Sequence, residues 1–332
     1  MTKPASKIRF KAKLFRPAES AKAGCWNFLI LPTNASAKLP SRGVTPIEGT
    51  INGFPFQATL EPDGQKSHWL KVNRKLREAA GANAGDVVTL EIAPAAEERC
   101  AMLQQQCRDA WARTDRFEQF DFRRTAFAKI GTICDDTVIA WAFQARCLMQ
   151  SRFWRQPNGI IDIPRTITDQ DIQVKVEGFF GFIRTAFTHL VFSQVETTLR
   201  AFLRTIAPGT VGDGTGEFKS IYECLLRTYL PRAEGWDSEI VALDFFRVIR
   251  NLIHNNGFYL NRRAANVQIE HRGKLYFFQH NQHADFLPLP VVFDVVEDII
   301  RALDQIIWHP NISGYSSAIR DPVVRNFSTE NG

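Results

Sequence analysis

The sequence contains no run of about 18 consecutive apolar residues, so no membrane-spanning helix is expected. It also lacks a CxxC pair. Its 6 cysteines (Cys25, Cys100, Cys107, Cys134, Cys147 and Cys224) are scattered. That spacing excludes dithiol and zinc-ribbon motifs, and a chain of this length needs no disulfide staples, so the thiols read as reduced, in a cytoplasmic protein. Gly212 to Gly216 is glycine-rich but has no GK[ST] ending, which makes it a flexible loop rather than a phosphate cradle. Met1 to Lys13 is basic without an apolar centre or cleavage signal, so no secretory leader is expected. His280 and His283 stand three apart in a loop segment and are read as ordinary loop histidines. Neither a metal nor a cofactor is implied.

What the chain does have is apolar mass. It has 332 residues, 45% hydrophobic, with 26 Phe and 7 Trp. Two domains with large cores are expected. The formal net charge of +6 and a pI near 9.0 permit a polyanionic partner without requiring one.

Residues 7 to 93 read as short strands with tight turns, hence a small barrel. Ile8, Phe10, Ala12 and Leu14 alternate with Lys7, Arg9, Lys11 and Lys13. Ile47 to Ile51 and Phe54 to Leu60 flank Asn52-Gly53, a strong hairpin signal. His68 to Val72 and Val87 to Ile92 are further strands, with a short helix from Arg74 to Ala80 between them. The word order Ile47-Glu-Gly-Thr-Ile-Asn-Gly-Phe-Pro-Phe56, then His68-Trp-Leu-Lys-Val-Asn-Arg-Lys-Leu-Arg77, then Ala84-Gly-Asp-Val-Val88 resembles a small bacterial β-barrel domain of unknown function. That domain is often found ahead of YdeI/OmpD-associated segments. The resemblance covers about residues 5 to 94 and implies a double-split-barrel-like fold, but no activity. The basic row on the first strand and the cluster Lys71, Arg74, Lys75 and Arg77 are candidates for nucleic-acid contact, with Trp69 as a stacking ring. A solvated edge strand guarded by lysines explains the same residues.

Residues 95 to 170 read as a helical linker of unknown role, and 315 to 332 as a polar tail. Between them, 171 to 314 is helical. Helices are expected over Phe179 to Ile206, Phe218 to Leu230, Ser238 to Asn256 and Val291 to Trp308, with a β-hairpin turning at Arg272-Gly273. The overall class is therefore multidomain α+β.

The third of these helices holds the most informative pattern. Phe245, Phe246, Val248, Ile249, Leu252 and Ile253 fall on one side. Arg247, Arg250, Asn251 and His254 fall on the other, within an arc of roughly 100°. Arginine forks bind phosphate, and imidazole moves protons near neutrality. RNA carries its own nucleophile, so such a stripe suits phosphodiester cleavage that leaves a 2′,3′-cyclic phosphate. One histidine does not serve as both acid and base, but a two-fold dimer would supply two. A plainer account also holds: His254 favours the helix C-terminus by about 0.3–1 kcal/mol, and Asp244–Arg247 is a surface pair worth about 0–1 kcal/mol.

Three features in order, Ser193-Gln-Val-Glu196-Thr-Thr-Leu-Arg200, Phe246-Arg247-Val-Ile-Arg250-Asn251-Leu-Ile-His254-Asn-Asn-Gly257, and the hairpin Arg272 to Phe278, resemble the HEPN superfamily over residues 174 to 312. The resemblance implies a metal-independent ribonuclease whose site holds Arg250, Asn251 and His254. The spacing leaves Arg247 as the alternative arginine, and Glu196 and Arg200 are supporting residues. It also implies RNA as substrate, a homodimer through the helical domain, and an antitoxin or regulatory partner, in stress response or phage defence. The rival reading is a non-enzymatic module that binds RNA, nucleotide or protein. A third is DNA binding through the barrel.

Overall fold

The structure is a computed structural model that describes residues 8–16, 26–39, 42–43, 45–148, 151–154, 167–210, 216–261, 263–284 and 289–320. Lys7, Cys25, Gly212 to Thr215, most of the expected inter-domain loop and the last dozen residues lie outside these. The chain forms two compact units that meet between Arg99 and Cys100.

The first unit contains β1 (Ile8–Lys13), β2 (Trp26–Ile30), α1 (Thr33–Ser36), β3 (Thr45–Ile51), β4 (Phe54–Pro62), β5 (His68–Asn73), α2 (Arg74–Ala79) and β6 (Val87–Pro94). The strands form one antiparallel sheet in the order β1-β6-β3-β4-β5-β2. Its two edges meet where Phe15 and Phe28 exchange backbone hydrogen bonds of 2.7 and 3.0 Å, so the sheet is a nearly closed barrel. Period-two alternation buries Ile8, Phe10, Ala12 and Leu14 inside it. The hairpin turns on Asn52 and Gly53, both at positive φ (50° and 85°), as a two-residue primed turn requires. Asn52 Oδ1 also accepts from the Thr89 N–H at 3.0 Å, locking the turn to β6. A Cβ at Gly49 would fall on the Glu91 carbonyl, so only glycine lets β3 approach β6 this closely. His68 is fully buried, its ring held between Ser36 Oγ (2.8 Å) and the Gly43 carbonyl (2.9 Å).

The remaining elements are α3 (Ala96–Ala112), α4 (Phe122–Phe143) with a π turn over Gln144–Leu148, α5 (Ser151–Trp154), α6 (Asp169–Ile206), α7 (Phe218–Cys224) with a π turn over Leu225–Tyr229, α8 (Asp237–His254), β7 (Val267–His271), β8 (Lys274–Phe278), α9 (Leu289–Trp308) and α10 (Pro310–Ser313). The second unit begins inside α3. A Thr168–Asp171 capping box starts α6.

Two sequence expectations change here. The segment read as a linker is helical, but from Cys100 onward it is core rather than tether. Trp141 packs on Phe180 and Phe293, and Phe117 on Trp308, because Phe117, Phe122, Phe127, Ile130 and Trp141 are too apolar to stand in water. The polar tail, expected from 315, is anchored as far as the described chain runs. Ile319 is fully buried and its N–H donates to Asp121 Oδ2 at 3.2 Å. Buried Arg123 donates to the Ile312, Tyr315 and Ser317 carbonyls and pairs with Asp121 at 2.5 Å.

Candidate functional site

Helix α8 opens with Asp237 and Glu239 in its first turn, where carboxylates suit the helix dipole. It buries Leu243, Phe245, Phe246, Val248, Ile249 and Leu252. It stops where Asn256 and Gly257 take positive φ (52° and 89°) and the Gly257 N–H closes on the Leu252 carbonyl at 2.7 Å. The polar stripe lies along α6. His189 meets His254, Phe192 meets Arg250 and Phe246, and Glu196 and Arg200 share a cleft with Arg247. Contacts therefore climb α6 as they descend α8, so the two helices run antiparallel.

The cleft between them has a volume of about 830 Å³. Arg200, Lys219, Arg247, Arg250 and Arg263 line it, against the carboxylates of Glu196, Glu217 and Asp244. Asn251, Tyr259 and Asn261 add polar groups to its wall, and Phe192, Phe218 and Leu260 add apolar surface.

The cations are not equivalent. Arg247 spends its fork on Asp244, with Nε at 3.0 Å and NH2 at 2.8 Å from Oδ1. Burial works against the Arg247 charge, but Asp244 more than offsets this and raises its pKa. Tyr222 donates to the same carboxylate oxygen at 2.9 Å, and burial and that charge push the phenol well above its ordinary range. Arg200 pairs with Glu196 at 2.6 Å and donates to the Gly216 carbonyl at 2.9 Å. Arg250 differs in having no carboxylate: its NH1 reaches Asn251 Oδ1 at 3.2 Å, its guanidinium lies 5.3 Å from the Phe192 ring centroid, and its buried Nε, like one terminal nitrogen of Arg200, has no hydrogen-bond partner among the described residues.

His254 stands one turn past Arg250, exposed and just beyond the cleft wall. Its ring meets that of His189 edge to face, centroids 4.5 Å apart and planes at 89°. Partial desolvation, then the Arg250 charge, then His189 hold its pKa below the ordinary imidazole value.

Of the residues singled out in the sequence, Arg247, Arg250, Asn251, Glu196 and Arg200 come together in this cleft, with His254 at its end. His189, Lys219 and Arg263 escaped that reading. His189 was visible in principle, two helical turns before Glu196 and so on the same face of α6. The loop histidines face backbone: His280 Nδ1 accepts from the Asn261 N–H at 3.1 Å, and His283 Nε2 lies 3.1 Å from the Asn256 carbonyl. Among the described residues no group of three or more His, Cys, Asp or Glu could hold a metal.

The barrel candidates are differently placed. Arg74 pairs with Glu78 at 2.7 Å, and Arg77 donates to Asn27 Oδ1 at 3.1 Å. Lys71 and Lys75 are exposed, as are Arg9, Lys11 and Lys13. Trp69 is joined on the outer wall by Phe28 and Phe15, with centroids 6.3 and 5.6 Å apart in sequence.

A family model described as a domain of unknown function (DUF1905) matches residues 10–92, which is the barrel. No curated protein matches the chain. No helix among the described residues is long and apolar enough to cross a membrane.

Proposed function

We propose that the helical unit is HEPN-like, binds single-stranded RNA along the α6–α8 cleft and cleaves it in a metal-independent reaction. The observation that carries this reading is the convergence of Arg200, Lys219, Arg247, Arg250 and Arg263 on one cleft that ends at an exposed imidazole. The volume falls inside the range of about 300–1,000 Å³ usual for ligand sites. Arg250 and Arg263 have no carboxylate partner among the described residues, and Arg250, the one on α8 beside His254, is the guanidinium placed to hold the scissile phosphate. Arg247 is committed to Asp244 and shapes the wall. Asn251 holds Arg250 in place, and His254 takes the 2′-OH proton. In this reading the protein is a homodimer through the helical unit, an effector in stress response or phage defence restrained by an antitoxin or regulatory protein, and the barrel is a docking module.

The test is a labelled single-stranded RNA incubated with purified protein in excess chelator. Cleavage by wild type, lost in Arg250→Ala and His254→Ala, supports the reading. Cleavage unchanged in His254→Ala removes this site from the reaction. Binding without cleavage, weakening steeply with salt and lost in Arg250→Ala, would instead make the cleft a non-enzymatic binding module.

A further inference from the structure

We propose that His189 of α6 and His254 of α8 act together as the proton-transfer pair of one chain, with His254 as base and His189 as acid. The inference rests on the RNA-cleavage reading and specifies how that site would work. Its warrant is geometric. Two imidazoles from antiparallel helices meet at 4.5 Å, next to Arg250 and at the end of the cationic cleft. Both rings can be reached from outside: His189 is half-buried and His254 exposed. No carboxylate bonds to either ring among the described residues, so nothing there fixes them as structural ion pairs.

Two imidazoles this close do not both carry a proton easily. The first proton disfavours the second, so the pair favours states with at most one proton over the doubly charged one, and one of these is the singly protonated pair. That is the state general acid–base chemistry needs, with one neutral ring and one imidazolium side by side. His254 also has Arg250 one turn away on its own helix, so it is the ring favoured to stay neutral. Arg250 and His189 are the charged and titratable groups acting on His254 among the described residues.

The step balances without a further reagent. His254 accepts the 2′-OH proton as the O2′–P bond forms. His189 donates its proton to O5′ as the P–O5′ bond breaks. The products are a 2′,3′-cyclic phosphate end and a 5′-hydroxyl end. Both functions then come from one subunit, and a dimer is not needed to complete the site.

The experiment compares wild type, His189→Ala, His189→Gln and His254→Ala on two substrates. One is a labelled single-stranded RNA. The other is uridine 3′-(4-nitrophenyl phosphate), whose leaving group departs without a proton. On RNA, each substitution should lower kcat by about 10²–10⁴. On the activated ester, the His189 variants should recover to within about tenfold of wild type, and His254→Ala should not, because only the acid becomes dispensable. The wild-type pH–rate profile should be bell-shaped, and His189→Gln should lose its alkaline limb. Mixing His189→Ala with His254→Ala should restore nothing. Equal loss on both substrates, or none on RNA, would overturn the role of His189 while leaving the cleavage reading intact. Recovery on mixing would overturn its action within one chain. A wild type inactive on both substrates would sink the cleavage reading and the pair with it.

Discussion

At the scale of single residues, Arg247 and Arg250 look interchangeable in the sequence, yet their surroundings assign them opposite duties. Removing Arg247 takes the bidentate partner from Asp244, a mostly buried carboxylate that keeps only the Tyr222 hydroxyl and a longer contact of 3.9 Å to Lys219. Arg247→Ala should therefore lower stability by about 1–3 kcal/mol in chemical denaturation. Arg250→Ala removes no ion pair and should cost under about 1 kcal/mol while abolishing RNA retention. A comparable loss of stability in both variants would show that the distinction is wrong. Gly257 gives a second contrast. It sits at φ 89°, and a Cβ there would fall on the His283 ring. Gly257→Ala should cost more than about 1 kcal/mol, visible as a lower Tm, whereas alanine in an unstrained turn is usually neutral or mildly stabilising. The stripe itself was legible because helical period is written in single residues. The partners that make Arg247 structural were less so. Asp244 is one turn away, but Tyr222 comes from α7, and no local pattern announces that meeting.

At the scale of elements, the hairpin β7–β8 and helix α9 are joined by charge rather than by apolar packing alone. Arg272, at the hairpin turn with φ 52°, reaches Asp294 at 2.9 Å, Glu297 at 3.2 Å and Asp298 at 2.8 Å. His271 Nε2 lies 2.7 Å from Asp298 Oδ2. Burial raises the Asp298 pKa, but hydrogen bonds from His271 and Arg272, with the charges of Arg272 and Arg301, overcome it and hold the carboxyl well below the usual carboxylate range. A group whose folded pKa is depressed contributes stability above its unfolded value, about 3.9. That stability is lost as pH falls through the acid range toward the folded value. Unfolding free energy should therefore drop below about pH 4 in wild type. Asp298→Asn should be less stable at neutral pH and show a shallower acid decline. An unchanged acid limb in that variant would mean the network contributes nothing. Element types were readable from alternation, period and turn residues: Asn52-Gly53, Arg272-Gly273 and Gly257 all mark real turns. What α3 and α4 do was not. Helix α3 packs its cysteines on α4, and α4 completes a core whose other half comes from α6 and α9, far along the chain. Periodicity shows that a face is apolar, but not what covers it.

At the scale of the whole molecule, α6 leaves apolar surface uncovered beside the proposed site. Phe182 is 65% exposed and Leu190 54% exposed. With Phe179, Ala186 and His189 they fall within an arc of roughly 100° on one side of the helix. Isolated exposed apolar residues are ordinary on any protein surface, but a contiguous stripe is the usual mark of a contact face. A second copy of this chain, laid across the stripe about a two-fold axis, would cover it with its own equivalent. His189 lies at the margin of the arc, so such a contact would flank the imidazole pair without supplying any part of it. The expected outcome is a dimer in light scattering at micromolar concentration. Phe182→Glu should shift it to monomer with little loss of helix content, since the side chain is mostly in water already. Cleavage per chain should then persist, because acid, base and phosphate-binding arginine all come from one subunit. A monomeric variant that folds normally but loses all cleavage would mean that the reacting groups meet across the two-fold axis, not along α6 and α8 of a single chain.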